Sequence, residues 1–282
     1  MPTDDRSKPS QPGPMKELND RVAVITGGSS GIGLAIGKLF VQAGARVAIF
    51  SHDEEQLNKA THELGELGDR DKVLPILCDV THEEEVLAGY QSTLDHYDRM
   101  DILVCNAGIG YSAPIEETSI EMWRKVLDTN CTGYFIAAKE AIRVFRRRGQ
   151  GGVIVFISSD NSIKPSKNAL AYNVSKAAVN HMARCIADEC GVDGIRINTI
   201  LPGAVFGGSA FWTPEFRARR AAIHGFDPDM LEIEYKKATA LGVIIFPEEV
   251  AELALFFASD RSAKITGALI SIDGGGATGY VR

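Results

Sequence analysis

The chain has 282 residues, 45% of them hydrophobic, enough to close one sizeable core. A net charge of -7 lacks the basic face that a general nucleic-acid surface needs; no apolar run nears the roughly 20 residues that span a bilayer, and the first residues lack the apolar core of a signal peptide. Five cysteines, Cys78, Cys105, Cys131, Cys185 and Cys190, sit mostly in apolar segments and read as reduced core residues of a cytoplasmic protein; no histidine stands at zinc-ligand spacing, so no metal is expected.

Residues 1–19 carry Pro2, Pro9, Pro12 and Pro14 among polar residues and read as a flexible tail. Residues 20–282 read as one domain. Its β-rich runs fall at Val22–Ile25, Val47–Phe50, Val73–Leu77, Ile102–Cys105, Val153–Ile157, Ile195–Ile200 and Leu269–Ile272, with helical patterns between them. This alternation predicts an α/β, Rossmann-like, doubly wound parallel sheet of seven strands with helices on both faces. The strands are apolar throughout, as burial beneath two helical layers requires. Arg146, Arg147 and Arg148, and later Arg217, Arg219 and Arg220, read as solvated helix ends.

Right-handed crossovers bring every strand's carboxyl end to one edge, and the motifs fall there. Thr26-Gly27-Gly28-Ser29-Ser30-Gly31-Ile32-Gly33 follows the first strand and opens a helix over Leu34–Val41. Gly27 and Gly31 can take backbone angles closed to other residues, Gly33 leaves room for helix–strand packing, and the helix N-terminus suits a pyrophosphate. Asn106-Ala107-Gly108 follows the fourth strand, Ser158-Ser159 the fifth and Pro202-Gly203 the sixth. From Phe206 to about Ala240 the rhythm breaks into an aromatic and charged segment holding Phe211, Trp212, Phe216, Phe226 and Tyr235. It is a candidate substrate lid, or else a packing or subunit-contact insertion.

A tyrosine phenol, with an ordinary pKa of about 10, needs help to exchange a proton near neutrality. Lys176 lies four residues after Tyr172 on the same helical face, where an ammonium favours the phenolate. Ser159 can offer its hydroxyl to the same substrate oxygen, and Asn130 can hold a water linking Lys176 to solvent. Taken singly, Ser159 is a helix cap and Asn130 a buried hydrogen-bonding group.

In these motifs the sequence resembles the short-chain dehydrogenase/reductases from about Arg21 to Gly275. The resemblance implies a nicotinamide-dependent oxidoreductase acting on CH–OH groups, with Asn130, Ser159, Tyr172 and Lys176 as the catalytic tetrad. Tyr172 would be the general acid/base, Ser159 would orient the substrate oxygen, Lys176 would lower the tyrosine pKa and bind the ribose, and Asn130 would support the relay. It also implies cofactor contacts from Gly27, Ser29, Ser30, Gly31, Ile32, Gly33, Ser51, His52, Asp79, Val80, Asn106, Ala107, Gly108, Tyr172, Lys176, Pro202, Gly203 and Val205. Two positions depart from the pattern: Cys105 replaces the first of two asparagines, and Gly207 stands where a threonine is usual. A homo-oligomer, dimer or tetramer, is expected through a long helix from Ile120 to Phe145 and the tyrosine-bearing helix.

Cofactor choice is set after the second strand, where an acid would bind the ribose hydroxyls and repel a 2′-phosphate. Ser51 and His52 stand there and favour NADP, whereas Asp53 nearby and the absence of a basic residue at Ser30 favour NAD. The stretches Ser158–Asn161 and Lys167–Tyr172, with Leu201–Val205, Ser209, Trp212 and Asp273–Gly275, are similar to sugar and polyol dehydrogenases and to the dehydrogenase part of rhamnulose-phosphate aldolase/alcohol dehydrogenase proteins. Substrate contacts are therefore expected from Ser159, Asp160, Asn161, Asn168, Tyr172 and Trp212, although Asp160 and Asn161 could equally serve the loop backbone. The alternatives are reduction of a 3-oxoacyl thioester or xenobiotic ketone under an apolar lid, and a non-catalytic nucleotide sensor.

Overall fold

The computed structural model describes residues 17–68, 70–208 and 212–276; the expected tail through residue 16, together with Ser209 and Phe211, lies outside them. The strands are β1 (Val22–Thr26), β2 (Arg46–Ser51), β3 (Val73–Leu77), β4 (Ile102–Cys105), β5 (Gly152–Ile157), β6 (Ile195–Pro202) and β7 (Leu269–Ile272). All pair in parallel in one sheet of order β3-β2-β1-β4-β5-β6-β7. The helices are α1 (Gly31–Gln42), α2 (Glu54–Gly65), α3 (Glu83–Tyr97), α4 (Ile120–Leu127), α5 (Gly133–Arg148), α6 (Leu170–Cys190), α7 (Pro214–His224), α8 (Leu231–Lys237) and α9 (Pro247–Ala258).

Successive side chains of a strand point to opposite faces, so each central strand feeds two cores. Ile25, Ile49 and Val155 meet Ile36 and Phe40 of α1, Leu57 and Leu64 of α2, and Val250 and Phe257 of α9. Val24, Phe50 and Phe156 meet Val86 and Tyr90 of α3, Tyr134 and Phe145 of α5, and Val179 of α6. Each such side chain fully removed from water contributes about 1.5–3 kcal/mol. The outermost strands differ from the all-buried expectation. Leu77 of β3 is 57% exposed and β7 is only half covered, because an edge strand has a neighbour on one side and incomplete helical cover.

Three further expectations are corrected. Leu18, assigned to the tail by composition, is fully buried, and its N–H donates to the Ala43 carbonyl. The helix expected from Ile120 to Phe145 is two helices joined by a π-turn over Asp128–Thr132, a one-residue insertion that apolar periodicity does not register. Cys185 is exposed, not a core residue.

The segment after β6 is helical. Phe206, Ala221 and Leu231 form a small core of its own, flanked by Trp212, Tyr235 and Ile244. Three of the six arginines read as solvated are tied down: Arg146 to Asp193, Arg148 to Asp101 and Arg217 to Glu232. Arg220 is buried. Among the described residues no helix is long and apolar enough to cross a membrane, and no group of histidines, cysteines and acids could hold a metal ion.

Candidate active site

The sheet order reverses between β1 and β4, so the loops leaving these neighbours diverge and open a crevice at their carboxyl ends. A cleft of ≈ 1130 Å³ lies there, larger than an ordinary small-molecule pocket. The glycine turn forms one wall. Gly27 (φ +62) and Gly31 (φ +50) occupy the left-handed region, and a Cβ on Gly33 would lie 2.2 Å from the Gly27 carbonyl oxygen. Asn106 holds this turn in place. Its Nδ2 donates to the carbonyls of Gly27 (2.9 Å) and Thr26 (3.2 Å), while Thr26 Oγ1 accepts from the backbone N–H groups of Asn106 and Ala107. Asn106 therefore positions the turn with its side chain, although it also lines the cleft.

The turn fits a dinucleotide pyrophosphate on its own geometry. Ser30 caps α1 in an extended conformation with no side-chain cap bond, leaving first-turn N–H groups and the positive dipole end toward the cleft. One of these donors is engaged: Gly31 N–H donates to the Gly208 carbonyl (2.9 Å), so the loop after β6 leans on the turn. Further along, Ser51 Oγ meets Ser29 Oγ at 2.9 Å and accepts from Asp53 N–H. The Asp53 carboxylate caps α2, accepting from Gln56 N–H and Nε2, and these bonds hold its pKa below the usual range. Asp79 accepts from Thr81 N–H and Oγ1, which lowers its pKa against the opposing effect of burial.

At the far end of the same cleft stand Tyr172 and Lys176 on α6 and Ser159 after β5. Tyr172 is hydrogen-bonded to Ser159, whose Oγ donates to Asp160 Oδ1 (3.2 Å) and accepts from Asn161 N–H. Lys176 Nζ lies 5.9 Å from the Tyr172 ring centre, 5.0 Å from that of Tyr134, and donates to the Ile157 carbonyl (2.8 Å) and Tyr134 Oη (3.3 Å). Asn130, fully buried in the π-turn, accepts from Ile109 N–H and donates to Ile109 O and Ser175 Oγ.

The electrostatics run opposite to the expected phenol depression. Burial pushes Tyr172 up to about 12, with the Ser159 bond opposing, and desolvation pulls Lys176 down to about 7. Burial also raises the Asp160 carboxyl.

Of the residues expected in the site, Gly33, Asn130 and Asn168 do not line the cleft. Gly33 packs behind the turn and Asn130 lies beneath Lys176. Asn168, at φ +57, gives its carbonyl to Ala113 N–H and Ser112 Oγ and lines a neighbouring hollow. The left-handed backbone at Asn168, just before α6, sets it in that hollow and off the wall of the main cleft. Conversely, Lys164 and Arg220 line the cleft and Tyr134 bonds Lys176, although the sequence marks neither Lys164 nor Tyr134 and Arg220 reads there as a solvated helix end. Tyr134 could have been found four residues after Asn130; nothing in the local pattern separates Arg220 from Arg217 and Arg219.

Residues 27–277 match the family described as enoyl-(acyl carrier protein) reductase. The chain is 41% identical over 269 residues to the uncharacterized oxidoreductase YuxG of Bacillus subtilis, covering 95% of this chain but only 39% of that protein. It is 34% identical to the 3-oxoacyl-[acyl-carrier-protein] reductase FabG of Chlamydia trachomatis, over 92% of this chain and 98% of that one. The crystal structure of a short-chain type dehydrogenase/reductase from Mycobacterium marinum superposes with a TM-score of 0.83 at 31% identity, covering 94% of this chain and 98% of that one.

Lys176 has a depressed folded-state pKa, so the native state binds fewer protons than the unfolded state between about 7 and the ordinary value of 10.5. Stability rises with pH through that window and the penalty is complete below it. Lys176→Met should therefore gain on the wild type, in the melting temperature of the cofactor-free protein, as the pH falls from 10 to 7, then run parallel below 7. A pH-independent difference would contradict a desolvated amine.

Proposed function

The chain belongs to the short-chain dehydrogenase/reductase family of oxidoreductases, and on that footing we propose that it interconverts an alcohol and a carbonyl on a sugar, polyol or small hydroxyaldehyde. The observation that carries this reading is the hydrogen-bonded row Tyr172, Ser159, Asp160, lying in one cleft with the glycine turn. A nicotinamide dinucleotide, when bound, supplies or takes up the hydride. Gly27, Ser29, Ser30, Gly31, Ile32, Asp79, Val80 and the Pro202–Val205 segment, which line the cleft, would hold it.

Tyr172 carries the proton. With its pKa near 12 it is a neutral phenol at pH 7, the form that donates to a carbonyl oxygen as that oxygen becomes a hydroxyl. Ser159 directs a second hydrogen bond to the same oxygen. In the oxidation direction Tyr172 must accept the proton, and a protonated Lys176 is the group that favours it. Asp160 and Asn161, beside Ser159 on the cleft wall, offer acceptors and donors to further hydroxyls. A second reading, reduction of a 3-oxoacyl thioester or xenobiotic ketone, is supported by the aromatic wall of Phe206, Trp212, Phe216, Phe226 and Tyr235 and by the likeness to FabG.

We infer NADP as the cofactor. Asp53, the first acid after β2 and the one of the three at positions 53–55 that lines the cleft, spends its carboxylate on capping α2, which leaves Ser51 and His52 to face a 2′-phosphate. We also propose a homo-oligomer whose contact runs over α4, α5 and α6, a reading supported by exposed Ile120, Phe135 and Val174.

Tyr172→Phe should lower kcat by roughly 10²–10⁴, followed through nicotinamide absorbance. Retained turnover would remove Tyr172 from the chemistry. Asp160→Ala or Asn161→Ala should raise KM for the best polyhydroxylated substrate about tenfold; turnover confined to a 3-oxoacyl thioester would favour the second reading. Ser51→Asp should move the NADP to NAD ratio of kcat/KM toward NAD by about tenfold or more, and an unmoved ratio would sink the NADP assignment. Light scattering should give a dimer or tetramer, reduced to a smaller species by Phe135→Glu; a monomeric wild type would refute the placement.

A further inference from the structure

Arg220 lies on α7, is 6% exposed, and lines the cleft on the side of Tyr172. Its guanidinium donates to the Lys167 carbonyl (3.1 Å), Ser166 Oγ (2.8 Å) and Tyr235 Oη (3.0 and 3.3 Å), and Nη2 meets His224 Nε2 at 3.0 Å. Every one of these partners is neutral or basic. Among the described residues no carboxylate pairs with Arg220, although Arg217, one turn earlier, has Glu232. Partial desolvation and the charges of Arg220 and Lys167 lower the pKa of His224, so it meets Arg220 as a neutral acceptor rather than a second cation. Nη1, with two hydrogens, has one acceptor among the described residues.

A guanidinium removed from water without a counter-charge is expensive, and the expense is offset once an anion shares its hydrogen bonds. The charges around it point the same way. Apart from Lys176 and from Asp53 and Asp79, which follow β2 and β3, the cleft is lined by Lys125, Lys164, Lys167 and Lys236 as well as Arg220, against Asp160, Glu234 and Asp273, in a chain whose net charge is -7. One of those acids, Glu234, is paired with Lys237, and Asp160 has Lys164 close by. We propose that the substrate carries an oxyanion, a carboxylate or a phosphate, which docks against Arg220 while its hydroxyl or carbonyl carbon faces Tyr172. The planar fork of an arginine suits either anion and gives the reacting end a fixed distance from the anchored end. This deepens the hydride-transfer reading above and rests on it.

The test compares matched pairs of three to six carbons, glycerol with glycerate, ribitol with ribonate and sorbitol with gluconate. Glycerol 3-phosphate and sorbitol 6-phosphate form the phosphate arm. Each is assayed by nicotinamide absorbance, and by calorimetric titration into protein saturated with NADP, using the wild type, Arg220→Gln and Arg220→Lys. The anionic members should bind and turn over better than the neutral ones, and the acid and phosphate arms identify which oxyanion is taken. In Arg220→Gln the anionic-to-neutral ratio of kcat/KM should fall about 10- to 100-fold, mainly through KM, with Arg220→Lys recovering part of it. The anionic KM should also rise with added salt. Equal binding of charged and neutral members at every chain length overturns the proposal, as does an equal loss of both in Arg220→Gln, which would make Arg220 a latch between α7 and the Ser166–Lys167 segment. Preferential, Arg220-dependent calorimetric binding of the anions without Tyr172-dependent turnover would instead sustain the anion site and refute the hydride-transfer reading.

Discussion

The side-chain amide of Asn106, bonded to the carbonyls of Thr26 and Gly27, ties the end of β4 to the turn after β1, and the placement of everything in the cleft follows from that tie. A parallel sheet whose order reverses must part its loops at one point. Unless the parted loops are fixed to each other, their backbone N–H groups have no defined direction. Here the two are locked twice, by the Asn106 amide from one side and by Thr26 Oγ1 accepting from Asn106 and Ala107 on the other. Gly33, with no room for a Cβ beside the Gly27 carbonyl, completes the lock from behind. The same tie brings Gly108 close to Asn130 and Lys176, so the glycine turn and these two side chains share one rigid floor.

Charge is distributed in the opposite sense to the chain's overall acidity. The two most enclosed cations near the reacting end, Lys176 and Arg220, are held by neutral oxygens: the Ile157 carbonyl and Tyr134 hydroxyl for one, the Lys167 carbonyl, Ser166 and Tyr235 for the other. Surface ion pairs such as Lys59–Glu55 contribute little in water. The buried cations have far larger leverage, because in a low-dielectric site a charge brought to them is felt strongly. Desolvation already moves Lys176 to about 7, so modest changes in its surroundings decide its protonation state.

The fold was legible to within a residue or two along most strands, because a strand buried on both faces is a dense run of Val, Ile, Leu and Phe bounded by turn residues. What periodicity missed is instructive. The π-turn at Asp128–Thr132 keeps helical composition on both sides and adds one residue, which shifts the face without altering the pattern's appearance. Leu18 is a single apolar residue beside a proline-rich stretch, and only its fit against α1 and the Ala43 carbonyl buries it. Trp212 and Tyr235, conspicuous as aromatics, were noticed. Arg220, which closes the same wall, reads in sequence as a solvated helix end, since its burial comes from residues 53 and 54 positions away.

By itself, the sequence determined the alternation of elements, the edge of the sheet on which the motifs meet, and the family to which the chain belongs, because these depend on local composition and on the order of residues along the chain. The tertiary structure alone decided the electrostatic state of the site. Tyr172 and Lys176 stand four residues apart in either description, but whether the lysine is charged, whether the phenol is acidic, and whether Asn168 faces the cleft depend on how much water the surrounding elements exclude and which carbonyls they present. Desolvation and long-range hydrogen bonding are properties of the packed volume, and no spacing along the chain encodes them.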